Sequence, residues 1–312
     1  MAILTGAHPP IQRKFKQRQE KIPMEKQRNR NLQPWLGALL PPDTCELPTR
    51  NADGLTVPEL TAEQRYAFDT HGWFLVPEVF SGPELKEMRD FGHHLHHDPE
   101  SIPEHERSTL GGPLQKLIDH PLVVSLLNEF TAHPAVTSPE CYGFSVESTN
   151  LLYRAPGMAK FAPHNGNGLL RFPGDVHYYN AFPGKGYSPH TRVVWELTEV
   201  KKGQGGTLLV TGSHKSVYTA PSDIQNPDSD IWSTYGCPAG SLLFFTEALT
   251  HSARTWTNTE NDRIAIFNLY SPVDSGFAKT YEPHPKLLAE MPLLRRTLFR
   301  NRYVVDNVNG TE

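Results

Sequence analysis

The sequence predicts an α+β domain built around an antiparallel β-sandwich or barrel, and three observations lead there. Helix-type patterns with capping starts and Gly or Pro stops crowd between Thr61 and Phe130. From Gly143 onward the texture changes to short apolar runs separated by Gly, Pro, Asn and Asp. The chain has 312 residues, 38% of them hydrophobic and 10% aromatic, enough for one sizeable core. Helices first and many short strands afterwards is the order of an α+β fold, not of an alternating parallel one.

Residues 1–55 stand apart as a basic, Pro-containing arm. Between Arg13 and Arg30 lie eight Lys/Arg and two Glu with almost no apolar periodicity, and Trp35–Leu40 is the one apolar anchor. A single folded domain is expected over 56–312. Thr61-Ala-Glu-Gln64 is a capping box opening a short helix that stops at His71-Gly72. Trp73–Val76 then reads as a strand ended by Pro77. Ser81-Gly-Pro-Glu84 has the spacing of a second capping box, before a helix whose Leu85, Met88 and Leu95 share a face. A further short helix is expected from Pro121 to Phe130. Strands are expected at Thr149–Tyr153, Thr191–Glu196, Gly206–Val210, Ser241–Thr246 and Arg263–Tyr270.

Several classes are disfavoured at once. A formal net charge of −4 speaks against nucleic acid or a membrane surface as partner. No apolar run approaches the roughly 18–20 residues of a membrane span. Three distant cysteines, Cys45, Cys141 and Cys237, make neither a disulfide framework nor a thiolate zinc ribbon. A soluble, cytoplasmic protein of reducing surroundings is expected, acting on a small molecule; the sequence leaves its oligomeric state open. Phosphate-binding Gly-rich loops, G-x-S-x-G and H-E-x-x-H are absent.

Fifteen histidines are the surplus to sort. His93 and His97 would share a helical face and could hold a metal. They also sit at a helix end, where imidazolium groups suit the macrodipole, and no further ligand lies nearby. His71 belongs to a helix stop. A second group is ordered along the β-rich half: Pro156-Gly157 and then His164-Asn-Gly166, Gly205-Gly-Thr207 and then Gly212-Ser-His-Lys215, and finally Gly240–Phe245, His251 and Arg263.

With these residues in view, the chain resembles the phytanoyl-CoA dioxygenase family over roughly residues 58–275. Leu60–Pro77 resembles the family's first helix and strand, and Leu152–Gly157 the strand before its first metal histidine. Gly205-Gly-Thr-Leu-Leu-Val-Thr-Gly-Ser-His-Lys215 resembles its Gly-Gly…Pro-Gly-Ser-His-Lys segment, with Thr211 where Pro is usual. The resemblance implies a double-stranded β-helix (jelly-roll, cupin-like) core with flanking N-terminal helices. It implies an oxygenase using Fe(II), 2-oxoglutarate and O2, most simply to hydroxylate a small organic substrate with release of succinate and CO2. It implies His164 and His251 as metal ligands and Arg263 as the fork for the far carboxylate of 2-oxoglutarate. His214, in its Gly-Ser-His-Lys turn, is expected to organise a loop.

One departure stands out. The family's first site is His-x-Asp, and here it is His164-Asn165-Gly166. Asp175 could fold back to supply the carboxylate. Glu247 lies four residues before His251, about 13 Å along a regular strand, and is expected to be a second-sphere acid rather than a ligand. A halide could fill the Gly166 gap, as in related iron halogenases, or the barrel could have become a non-catalytic binding module. Asn165 is expected to point to the other face if the segment stays extended.

Overall fold

The computed structural model describes residues 46–133, 137–158, 161–166, 176–273 and 281–300. Trp35–Leu40 and Asp175 lie outside them. Helix α1 (Ala62–His71) starts as expected: Thr61 Oγ1 accepts from the Gln64 amide, and the Gln64 side chain accepts from the Thr61 amide. It ends at Gly72 with φ 82°, where an added Cβ would meet His214 Nδ1 at 2.7 Å. Strand β1 (Trp73–Val76) follows.

Helix α2 (Gly82–His97) corrects the second capping box. The Ser81 side chain makes no cap hydrogen bond, and Glu84 Oε1 instead accepts from Lys116 Nζ at 2.5 Å. Leu85 and Met88 are buried along α2 with Gly92, and the His93–His97 group sits exposed in its last turns apart from Leu95, which is half-buried. Helix α3 (Pro121–Phe130) matches its expected span.

Strands β2 (Phe144–Arg154), β5 (Thr191–Glu196), β7 (Ser241–Thr246) and β9 (Arg263–Pro272) join β1 in an antiparallel sheet of order β1-β7-β5-β9-β2. A hairpin of β3 (Asn180–Phe182) and β4 (Lys185–Tyr187) lies beside it in sequence. The facing layer is β6 (Thr207–Leu209) paired with β8 (His251–Ala253), widened by bridges His164↔His251 and Leu209↔Ser233.

Side-chain alternation divides the large sheet into two faces. Phe74, Phe244, Val193, Trp195, Leu197, Ile264 and Ile266 pack with the helices, as in the Phe68–Phe74 ring pair at 6.2 Å. Leu75, Phe245, Leu243, Val194, Ala265, Phe267 and Leu152 face Leu209 of the second layer. Strand β2 changes parity along its length, because the register slips between Val146 and Ser148. Val146 therefore belongs to the helical side and Leu152 to the inside, and the extra residue is Glu147. Residues 46–55 are tied to the body: Arg295 Nη2 donates to Asp53 at 2.6 Å and Arg295 Nε to the buried Asp119 at 2.9 Å.

Candidate active site

His164 and His251 come together as neighbours across two short strands. Each amide donates to the other's carbonyl at 3.1 Å, and the rings lie 4.1 Å apart between centroids. His251 is buried, whereas His164 sits at the exposed mouth. Both rings are oriented from behind in the same way. His164 Nδ1 is 2.7 Å from the Ala162 carbonyl, and His251 Nδ1 is 2.9 Å from that of Leu249. A carbonyl oxygen only accepts, so Nδ1 carries the proton and Nε2 presents its lone pair.

Glu247 is where the sequence reading and the structure part. Strand β7 stops at Thr246, and the chain turns through Glu247 and Ala248 before β8 begins at His251. The turn replaces the extended path, and Glu247 Oε2 lies 3.7 Å from His251 Nε2. Arg192 Nε donates to Oε1 at 2.6 Å, and Asn165 Nδ2 donates to Oε2 at 2.8 Å. Burial works to raise the Glu247 pKa, but Arg192 and His251 outweigh it and hold the carboxyl well below its usual range. Burial pushes His251 down to about 4, with Glu247 opposing only in part.

Asn165 also departs from expectation. The segment is not extended there: φ is 62° at Asn165 and 110° at Gly166, and this left-handed turn swings the Asn165 amide onto Glu247. Gly166 is thus a backbone requirement as well as a missing side chain.

Next to this cluster, the bulged Glu147 meets His190 Nε2 at 2.9 Å, both side chains buried, and the His177 ring stands 5.0 Å from that of His190. At the other end of the inner face, Arg263 is fully buried and already engaged. Its Nη2 donates to Glu196 Oε1 at 2.5 Å and its Nε to Oε2 at 3.1 Å. The Tyr235 hydroxyl donates to Glu196 at 2.6 Å, and Thr207 Oγ1 lies 3.3 Å from Arg263 Nη2.

His214 is buried with Nε2 donating to the Asp69 carbonyl at 2.8 Å, as a loop organiser should be. Tyr179 is core, its hydroxyl donating to Asp69 Oδ1 at 2.9 Å. A surface cleft lined by Glu46, Pro48, Leu60, Arg65 and Glu129 opens elsewhere and carries none of these groups. The sequence reading passed over Arg192 and Glu196. Their signal was two opposite charges four residues apart, hence on one face of the strand, in the largely apolar run Thr191–Glu196.

The model of the phytanoyl-CoA dioxygenase (PhyH) family matches residues 68–265. Among solved structures, HygX from Streptomyces hygroscopicus with iron bound is 22% identical, covering 72% of this chain and 90% of that one, with a TM-score of 0.56. The same protein with nickel, 2-oxoglutarate and hygromycin B bound is 21% identical over 71% and 90%, with a TM-score of 0.56. EctD from S. alaskensis in its apoform is 16% identical over 75% and 84%, with a TM-score of 0.51. At these identities the likeness establishes the shared fold, a double-stranded β-helix. No curated protein matches the chain at a significant level.

The class is that of the non-haem iron, 2-oxoglutarate-dependent oxygenases, whose cofactors are Fe(II), 2-oxoglutarate and O2. Within it, the chain belongs to the phytanoyl-CoA dioxygenase family.

The residues present suit iron. Two Nε2 lone pairs and an ionised carboxylate are the donor types of the facial triad. Among the described residues no three His, Cys, Asp or Glu stand at ligand distance as they are, so Glu247 would have to close on the imidazoles. Among the described residues no helix is long and apolar enough to cross a membrane.

Proposed function

We propose that this oxygenase hydroxylates a small organic substrate, with iron held by Nε2 of His164 and His251 and by the carboxylate of Glu247. One observation carries the reading. His251 Nε2 and Glu247 Oε2 face each other at 3.7 Å, both buried and both without a proton at neutral pH. Two acceptors so placed repel unless a cation lies between them. When bound, iron(II) supplies the redox chemistry that couples oxidative decarboxylation of 2-oxoglutarate to oxidation of a substrate C–H bond, with succinate and CO2 as co-products.

The remaining residues bind and orient. Main-chain carbonyls of Ala162 and Leu249 hold the imidazoles in the ligating tautomer. Arg192 and Asn165 keep Glu247 ionised and aimed. The guanidinium cluster at Arg263 takes the far carboxylate of 2-oxoglutarate. Thr207, which touches Arg263, is paired with Ala253, two residues beyond His251 on β8. That is about 7 Å of strand rise, a span suited to a five-carbon diacid. Val194, Leu243 and Ala265 belong to the buried apolar cluster on the same inner face and keep water out beneath it. Hydroxylation is preferred to halogenation because a halide at the Gly166 gap would be desolvated beside an ionised carboxylate. A cytoplasmic location accords with the free thiols of Cys141 and Cys237.

The test is anaerobic titration of the protein with Fe(II) and 2-oxoglutarate, reading the visible metal-to-ligand charge-transfer band. A band insensitive to chloride is expected, and its loss in His251→Ala. A band that shifts with chloride would instead favour the halide-filled site. Absence of any band at saturating iron would leave a binding module on the same barrel.

A further inference from the structure

The guanidinium end of the barrel is not electrically balanced. Arg263 is matched by Glu196, which takes both Nε and Nη2 of its fork, while Tyr235 and Thr207 complete its partners. Arg154 stands directly opposite Arg263 in the β2–β9 register and shares the inward parity of Leu152. Its Nη1 is buried and has no hydrogen-bond partner among the described residues. The other polar groups here are neutral: burial raises Tyr235, and pushes the Cys237 thiol up to about 12. Two guanidinium groups and one carboxylate therefore leave one positive charge in excess, on a half-buried Arg154 whose Nη1 is a buried, orphaned donor. Such a group is costly to bury unless an anion completes it.

Arg263 itself is a poor receptor while Glu196 holds it. A second carboxylate approaching that fork would meet a neutralised pair and the charge of Glu196. Arg154 has the free donor, lies within the same cluster, and is weakened as a cation chiefly by burial and next by the adjacent Arg263. An incoming carboxylate relieves both.

We infer that Arg154 is the group that receives the far carboxylate of 2-oxoglutarate, with the Arg263–Glu196 pair acting as a positioning wall behind it. This rests on the reading that the chain binds 2-oxoglutarate at the His164–His251 centre. It makes Arg154 the residue that separates five-carbon dicarboxylates from monocarboxylate 2-oxo acids. A carboxylate of the organic substrate has the same chemistry, and the choice of probes separates the two.

The experiment is anaerobic titration of the Fe(II) protein with 2-oxoglutarate and, separately, with 2-oxopentanoate, which has the same chain without the far carboxylate. The charge-transfer band reports chelation of either acid by the metal. The wild type is expected to prefer 2-oxoglutarate by roughly 10- to 100-fold, the worth of a charge-assisted contact. In Arg154→Met the preference should fall to about one while 2-oxopentanoate binds as before, and Arg154→Lys should restore part of it.

A preference kept in folded Arg154→Met would overturn the inference and return the role to Arg263. Equal weakening of both acids would overturn it too, since that marks a structural arginine. Equal binding of both acids by the wild type would assign the buried charge to a carboxylate of the substrate instead. No band with either acid in the wild type would remove the co-substrate reading beneath the inference, and the inference with it.

Discussion

Around His251 the inner face of the barrel holds more acceptors than protons to share, while around Arg154 it holds more donors than acceptors. Both ends are built from the same strands: β5 supplies Arg192 to the first and Glu196 to the second, and β8 runs from His251 toward the partner of Thr207. Each end contains an ion pair, Arg192–Glu247 at one and Arg263–Glu196 at the other. Neither pair balances its surroundings. The first leaves the His251 Nε2 lone pair facing a carboxylate, and the second leaves a guanidinium nitrogen of Arg154 without a partner among the described residues. On the proposed reading, a pocket with a cation-seeking end and an anion-seeking end suits a metal and a chelating diacid together.

The sharpest way to break this comparison is to remove a charge from the balanced part of the anion-seeking end. Arg263→Met strands Glu196 in the interior, and the expected cost is about 3–5 kcal/mol of folding stability. Urea unfolding of the metal-free protein reads it; a loss below 1 kcal/mol would mean that the pair is already water-accessible.

Next in size is a buried imidazole that belongs to neither end. Burial pushes His214 down to about 4, against about 6.5 in an unfolded chain. Between those values the unfolded state binds the extra proton, so stability is full above pH 6.5 and is lost as the pH falls toward 4. The expected loss is about 3 kcal/mol for this group. It should shrink in His214→Gln, whose side-chain amide retains a donor toward the Asp69 carbonyl. Urea midpoints measured from pH 7 to pH 4 check this, and an unchanged slope in the variant would assign the acid sensitivity elsewhere.

At the cation-seeking end, Glu247→Gln keeps the shape and removes the charge. Iron affinity is expected to fall by more than about 100-fold, beyond the 10- to 100-fold typical of groups that only support a metal ligand, measured by competition with a chelator. A loss below threefold would leave Glu247 as a partner of Arg192 only. The smallest effect is expected from Gly166→Asp. Restoring the family's residue type puts an L side chain at φ 110°, so stability should drop by about 1–2 kcal/mol. Iron affinity should not improve. Tighter iron binding would show instead that the turn can relax to the His-x-Asp form.

Much of the architecture was legible because it rests on local rules. The Thr61–Gln64 capping box, the stop at Gly72, the Pro121–Phe130 helix and the spans of β5 and β7 all stand where propensity and alternation placed them. The Ser81 box failed because Glu84 found Lys116, a partner 32 residues away that no local pattern contains. The pairing of His164 with His251 was legible only through resemblance, since no periodicity links positions so far apart.

By itself, then, the sequence determined the α+β class, most strands of the large sheet and the types of chemical group available, because these follow from short-range hydrophobic periodicity and turn chemistry, whereas β3, β4 and β8 carried no such signal. Only the tertiary structure decided which charges meet. The turn after Thr246 carries Glu247 to His251, the left-handed Asn165 closes on it, and the Glu147 bulge reverses the parity of β2 so that Arg154 faces inward opposite Arg263. Each depends on one backbone deviation from regular geometry. In a period-2 structure a single such deviation moves a side chain to the opposite face.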